Sequence, residues 1–262
     1  MKAVTGVFAS RSDAQRALEQ MRSSGVREDK LTLLTPGEMS EELKSVPKMG
    51  AEQPGMAKAI SAVIGASAGL SGGVIVAALI PGVGPITAIG LLGGAILGAA
   101  GGTVGAVAGG KLETSSSEGL PHDELFVYED ALRKGRSVLV VMADDDAMAS
   151  GVRVLLEAEG AESVDAAREQ WWIGLRHAEE EHYSKLGREL GDDEKFYRLG
   201  FEAALHARSR CKEYDQVLNE MSADIEELEK QHPGQEVAEP FTRGYERGRD
   251  HYEQLCNKSK AA

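Results

Sequence analysis

Two Glu-x-x-His pairs in the C-terminal part of the chain are its candidates for metal chemistry: Glu179 with His182, and Glu229 with His232. Di-iron sites in four-helix bundles use two such pairs and two further glutamates, all projecting inward. This part of the chain is rich in glutamate and histidine, so about one such pair is expected by chance. His232 also precedes Pro233, which places it at a helix end. We therefore predict no metal site.

Two further motifs suggest binding chemistry but have simpler structural interpretations. Residues 105–112, "GAVAGGKL", are similar to a phosphate-binding loop up to Lys111. Leu112 stands where that loop needs a Ser or Thr hydroxyl for magnesium, and no predicted strand precedes it. We predict no nucleotide site and interpret Lys111 as a membrane-interface anchor.

The second of these motifs is the acidic run Asp144, Asp145 and Asp146. It lies where a predicted strand passes into a helix, where carboxylates cap the helix N-terminus more often than they bind a cation. No Ser-His-Asp, Cys-His or paired-carboxylate arrangement stands out at a strand end. The chain is predicted to be no enzyme, with no catalytic residue, no metal ligand and no cofactor.

The overall charge argues against nucleic acid as a partner. The chain has 42 Asp and Glu against 29 Lys and Arg, a formal net charge of −13, whereas phosphate binding needs clustered Lys and Arg. Cys211 and Cys256 lack metal-type spacing, which is typical of a reducing compartment. The N-terminal sequence lacks the apolar core of a secretory signal, so we expect the N-terminus in the cytoplasm.

Strand and helix patterns flank a long apolar block. "KAVTGVFAS" predicts a strand, followed by a helix capped by Ser10 or Ser12 and a second strand at "KLTLLT". Beyond the block, "HDELFVYEDALRKG" predicts a short helix that ends at Gly135. "RSVLVVMAD" is the strongest strand signal, and its continuous apolar run predicts burial on both faces. A helix and a short strand follow.

These elements predict an α+β fold. A ferredoxin-like β-α-β-β-α-β domain is split by a glycine-zipper transmembrane helical hairpin and is followed by an all-helical region. The predicted domains are 1–36 and 111–166 for the two halves of the ferredoxin-like domain, 37–58 for a linker, 59–110 for the hairpin and 167–262 for the acidic helical region.

The helical region contains two further patterns. "YRLGFEAA" (197–204) and "FTRGYERG" (241–248) form a weak internal repeat, which indicates that one helical unit has been used twice. Trp171 and Trp172 fit a membrane-interface belt, or else Trp172 packs in the core of the helical region and Trp171 packs against the split domain; packing is slightly favoured.

The apolar block carries no charge from residue 59 to residue 110. As helices, 59–80 would span about 33 Å and 86–110 about 37 Å, against a hydrocarbon core of roughly 30 Å. Glycines at four-residue spacing would let the two helices pack closely in lipid. The predicted helix-packing residues are Gly65, Gly69, Gly73, Gly90, Gly94, Gly98, Gly102, Gly105 and Gly109, and the predicted turn is Pro81, Gly82, Gly84 and Pro85.

Over roughly residues 3–166 the chain resembles the bacterial general stress protein family, also described as heat-induced or low-temperature-induced (YflT-like) proteins. The resemblance is carried by "VTGVFASRSDAQRALEQMRSSGV", the "IPGVGP" turn and "YEDALRKGRSVLVV". It implies a stress-associated, membrane-linked protein with no established enzymatic activity or cofactor. The helical region from Ala166 lies outside the pattern.

The predicted function is that of a non-enzymatic, stress-associated integral membrane protein. We expect it to self-associate through the glycine-faced hairpin and to lie in the cytoplasmic (inner) membrane with both termini cytoplasmic. The expected partners are the lipid bilayer, further copies of the chain in a homo-oligomer, and a protein that contacts the C-terminal helices. Two alternatives stay open: a soluble or peripheral stress protein with a metal-binding helical tail, and an accessory subunit of a larger membrane complex.

Overall fold

The computed structural model describes residues 2–37, 75–80, 83–90, 123–206, 209 and 214–261. The chain forms two units: the sheet unit, Met1–Pro121 with Val127–Ala167, and the helical unit, His122–Phe126 with Arg168–Ala262. The strands are β1 (Lys2–Phe8), β2 (Leu31–Pro36), β3 (Ile75–Ile80), β4 (Gly84–Gly90), β5 (Ser137–Ala143) and β6 (Glu162–Ser163). The helices are α1 (Arg11–Ser23), α2 (Leu125–Arg133), α3 (Asp146–Ala158), α4 (Val164–Ser184), α5 (Glu194–Leu205), α6 (Tyr214–Gln231) and α7 (Ala238–Ala261), with short 3-10 helices at Glu28–Lys30 and Gly191–Asp193.

The sheet unit is built on a six-stranded sheet in the order β3-β4-β2-β5-β1-β6. All its described strand pairs are antiparallel. Every residue of β5 is buried, as its continuous apolar run predicts. One face of the sheet packs against α1 and α3 through an apolar cluster: Val4, Phe8, Ala14, Ala17, Leu18, Met21, Leu31, Leu33, Leu139, Val141, Ala143, Ala149, Val152 and Leu156.

The predicted fold class is wrong, because the segment predicted to form a membrane hairpin adds two strands to the sheet. β3 pairs with β4 in antiparallel register, and β4 pairs in turn with β2. Their sequences, "IVAALI" and "GPITAIG", are rich in β-branched residues, which pack well in strands. Each glycine in the block also disfavours a helix by about 1 kcal/mol relative to alanine. The pairing of β4 with β2 therefore favours strands over helices in this segment.

Two of the predicted helix-packing and turn glycines have different roles in the sheet. Gly84 begins β4 with a φ of +108°, and Gly90 ends it with a φ of +130°. A Cβ on Gly90 would lie 2.1 Å from the carbonyl oxygen of Leu31, so β4 can approach β2 only without a side chain there. Pro85 lies within β4, opposite Leu79. The other predicted positions, Gly65, Gly69, Gly73, Pro81, Gly82, Gly94, Gly98, Gly102, Gly105 and Gly109, lie outside the described residues.

The prediction of an integral inner-membrane protein, anchored and self-associating through a transmembrane glycine zipper, is also wrong. Within the parts of the chain that the structure describes, no helix is both long enough and apolar enough to cross a bilayer. Two stretches of the predicted hairpin, 75–80 and 84–90, are strands.

The helical unit contains α5, α6, α7 and most of α4, and α5 packs closely against α7. These two helices approach each other at glycines. A Cβ on Gly200 would lie 1.9 Å from Phe241 O, and a Cβ on Gly244 would lie 1.9 Å from Tyr197 O. These four residues occupy matching positions in the two copies of the internal repeat. The repeat therefore forms two matching surfaces that pack against each other.

Candidate functional site

A buried ionic network joins three helices of the helical unit. Glu179 of α4 is only 1% exposed. Arg247 of α7 donates two hydrogen bonds to it, from Nε to Oε2 at 2.9 Å and from Nη2 to Oε1 at 3.0 Å. Tyr197 of α5 donates a third, from Oη to Oε2 at 2.9 Å. The carboxylate is thus paired and hydrogen-bonded, which is how a buried charge is tolerated.

Two further carboxylates accept hydrogen bonds around this network. Tyr183 Oη donates to Asp193 Oδ2 at 2.6 Å. Trp172 Nε1 donates to Glu194 Oε1 at 2.9 Å, and Arg176 forms a fork with both oxygens of the same carboxylate at 2.8 Å. α4 supplies the side chains at 172, 176, 179 and 183, since residues three or four apart lie on one helix face.

The surroundings shift the pKa values of these groups in directions that keep their charge states fixed. Burial, with the adjacent Glu179 carboxylate, raises the pKa of the Tyr197 phenol. Burial and the hydrogen bond to Asp193 raise the pKa of Tyr183. The hydrogen bond from Arg176 lowers the pKa of Glu194. Both tyrosines therefore remain protonated donors at neutral pH, and Glu194 remains an anionic acceptor.

The two predicted Glu-x-x-His pairs do not come together as metal ligands. Glu179 is engaged by Arg247 and Tyr197. In the second pair, His232 Nε2 lies 2.9 Å from Lys195 Nζ. Across the described ranges, no three His, Cys, Asp or Glu side chains form a group that could hold a metal ion.

The acidic run caps a helix, as the capping interpretation predicts, and also forms two ion pairs that the sequence does not indicate. Asp145 is the N-cap of α3 and accepts a hydrogen bond from Met148 N at 2.7 Å. Asp144 pairs with Lys30, and Asp146 pairs with Lys2. Hydrogen bonds from these lysines lower the pKa of both aspartates. Each of the three aspartates therefore has a structural partner.

The structure describes both tryptophans but not the motif that is similar to a phosphate-binding loop. Trp171 and Trp172 are 5% and 1% exposed, so both are packed in the helical unit. The similarity of 105–112 to a phosphate-binding loop falls outside the described residues.

An open groove runs beside the N-terminal half of α5, with a volume of about 490 Å³. Its described lining is Gly191, Asp192, Glu194, Lys195, Arg198 and Leu199. Leu199 of α5 lines the groove and is 36% exposed. Asp192 forms no ion pair among the described residues, whereas Glu194 is held by Arg176 and Trp172. The groove is thus lined by one exposed apolar side chain, the carboxylate of Asp192 and the basic side chains of Lys195 and Arg198.

Sequence reasoning misses the ionic network because its partners are far apart in the chain. Glu179 and Arg247 are separated by 68 residues, and neither the Glu-x-x-His pair that contains Glu179 nor the repeat that contains Arg247 indicates that the two residues pair. The internal repeat is the one signal that brings α5 and α7 together, since both glycines and both aromatic residues of the contact belong to it.

Comparison of the chain with family models, curated proteins and solved structures gives no match. The resemblance to general stress proteins therefore stays a prediction.

Proposed function

We propose that this is a non-enzymatic, stress-associated protein whose helical unit binds a protein partner. The observation that carries the proposal is the groove beside α5, whose lining includes the exposed Leu199 and the carboxylate of Asp192. A partner helix that places an apolar side chain on Leu199 and a basic side chain on Asp192 would satisfy both groups. Helices that dock in grooves commonly use such apolar anchors with polar neighbours.

The close packing of the unit supports this proposal. The glycine contacts between α5 and α7 and the ionic network at Glu179 hold the helices that form the groove wall. A surface that is ordered before binding loses less conformational entropy when it binds. The polar groups of the network are satisfied inside the unit, which fits a supporting role for them.

The proposal can be tested by photo-crosslinking in cells. A photoreactive amino acid replaces Leu199 in one variant and Val154 in the control, where the exposed apolar residue lies on α3 of the sheet unit. We expect a discrete protein adduct from position 199, its loss when Asp192→Lys is added, and no adduct from position 154. Equal adducts from both positions, or none from position 199 under any growth condition, would contradict partner binding through this groove.

The stress association is supported by the resemblance of residues 3–166 and needs its own measurement. We expect the abundance of the protein to rise after heat, cold or osmotic shock relative to unstressed cells. Constant abundance under all three conditions would remove this part of the proposal and leave partner binding untouched.

A further inference from the structure

Four oxidisable rings form a continuous series through the core of the helical unit: Trp171, Trp172, Tyr197 and Tyr183, here called the aromatic series. The ring centroids are 6.1 Å apart for Trp171 and Trp172, 6.3 Å for Trp172 and Tyr197, and 5.1 Å for Tyr197 and Tyr183. Tyr183 is fully buried, whereas Trp171 keeps 5% of its surface exposed. Each ring is thus a direct neighbour of the next.

Each tyrosine of the series donates its hydroxyl hydrogen to a carboxylate. Tyr197 donates to Glu179 at 2.9 Å and Tyr183 to Asp193 at 2.6 Å. Core packing requires only that a buried tyrosine hydroxyl find some acceptor, and most side-chain hydrogen bonds in proteins go to backbone or water. A phenol that loses an electron becomes a strong acid, so a carboxylate within hydrogen-bond reach can take its proton. Both tyrosines are placed for electron loss coupled to proton transfer.

We propose that the aromatic series carries one-electron oxidation from the tryptophans to Tyr183. A one-electron oxidising radical takes an electron from an indole, and Trp172 keeps its Nε1 proton on the hydrogen bond to Glu194. Tyr197 returns an electron to the indole while its phenolic proton moves to Glu179. Tyr183 then reduces the Tyr197 radical, which regains its proton from Glu179, and the Tyr183 proton passes to Asp193.

The net change is one electron transferred to the oxidant, a neutral radical on Tyr183 and a proton on Asp193. The side chain of Asp193 is 22% exposed, so the proton acceptor at this end of the series is partly accessible to solvent. A small reductant of the ascorbate class can restore Tyr183 from this end by donating one electron and releasing one proton to solvent, while Asp193 returns its proton to Tyr183 Oη. The tryptophans would then survive an oxidant that otherwise destroys indole rings irreversibly.

The test exposes the full-length protein to a photochemically generated one-electron oxidant in the presence of ascorbate. Mass spectrometry measures the fraction of Trp171 and Trp172 converted to oxidation products. Wild-type protein should retain both indoles, and Tyr197→Phe should lose them several-fold faster because the series is interrupted next to Trp172. Tyr183→Phe should give an intermediate loss, because Tyr197 can still be oxidised.

Tyr128→Phe is the matched control, since it removes a buried phenol from the sheet unit. It should behave as wild type. Far-UV circular dichroism and tryptophan emission verify that each variant is folded. If Tyr197→Phe does not fold, the tryptophan loss in Tyr183→Phe tests the proposal instead. Tryptophan loss in the folded tyrosine variants equal to that in wild type or in Tyr128→Phe would overturn the proposal.

Discussion

Replacing Gly244 with alanine should destabilise the helical unit because the added methyl group has no space. Its Cβ would lie 1.9 Å from the carbonyl oxygen of Tyr197 and 2.7 Å from the carbonyl carbon. Both are backbone atoms of α5, so no side-chain rotation can relieve the overlap. Helices α5 and α7 must therefore move apart, which weakens the other contacts between them.

The expected size follows from two opposing terms. Alanine favours a helix over glycine by about 1 kcal/mol, whereas overpacking a core costs about 1–3 kcal/mol or occasionally more. A clash with rigid backbone belongs at the upper end of that range, so the net loss is about 2 kcal/mol. Gly174→Ala on α4 is the matched control, since a Cβ there meets nothing within 4 Å. It should gain about 1 kcal/mol.

Urea unfolding followed by tryptophan fluorescence measures both changes. The two tryptophans of the chain lie in the helical unit, so their emission reports on this unit. The midpoint should fall for Gly244→Ala and rise for Gly174→Ala, with an unchanged denaturant slope in both. If Gly244→Ala unfolds at or above the wild-type midpoint, the close crossing of α5 and α7 is refuted.

Three further predictions concern charged groups. Glu179→Gln leaves the guanidinium of Arg247 without its carboxylate and should cost about 3 kcal/mol in the same urea assay; an unchanged midpoint would contradict a buried ion pair. Asp145→Ala removes the N-cap of α3 and should cost about 1 kcal/mol in thermal unfolding, whereas Asp146→Ala should change little because its ion pair is exposed; equal losses would argue against the cap. Because the pKa of Glu194 is lowered from 4.5, its contribution is present at neutral pH and is lost as the pH falls. Glu194→Gln should therefore flatten the acid loss of stability, and parallel curves for variant and wild type would refute this.

The local elements of the sheet unit could be predicted from sequence because each has a local cause. Ser10 accepts the capping hydrogen bond of α1, and Gly135 follows α2 with a φ of +79°. The apolar block could not be predicted in the same way. An uncharged run of glycine and β-branched residues fits a helix in lipid or a strand in a sheet, and pairing with β2 is a non-local interaction that periodicity does not contain.

The candidate site shows the same division between local and non-local information. The groove lining comes largely from one turn region and the helix that follows it, yet the exposure of Leu199 depends on what the other helices leave uncovered. The pairing of Glu179 with Arg247 needs the packing of α7 beside α4, which no spacing rule supplies. Sequence could indicate the repeated helices α5 and α7 but not the ion pair between α7 and α4.

The two copies of the repeat differ at the position that holds this ion pair. Arg247 in "FTRGYERG" corresponds to Ala203 in "YRLGFEAA". Ala203 instead lines a cavity of about 10 Å³ beside Val217 and Phe241, which has room for about one water molecule. The glycine contact alone is nearly the same viewed from either helix, so it does not determine which helix places this repeat position beside Glu179. A buried charge pair present on one side only would make that choice, because the alternative arrangement leaves Glu179 buried without a cation.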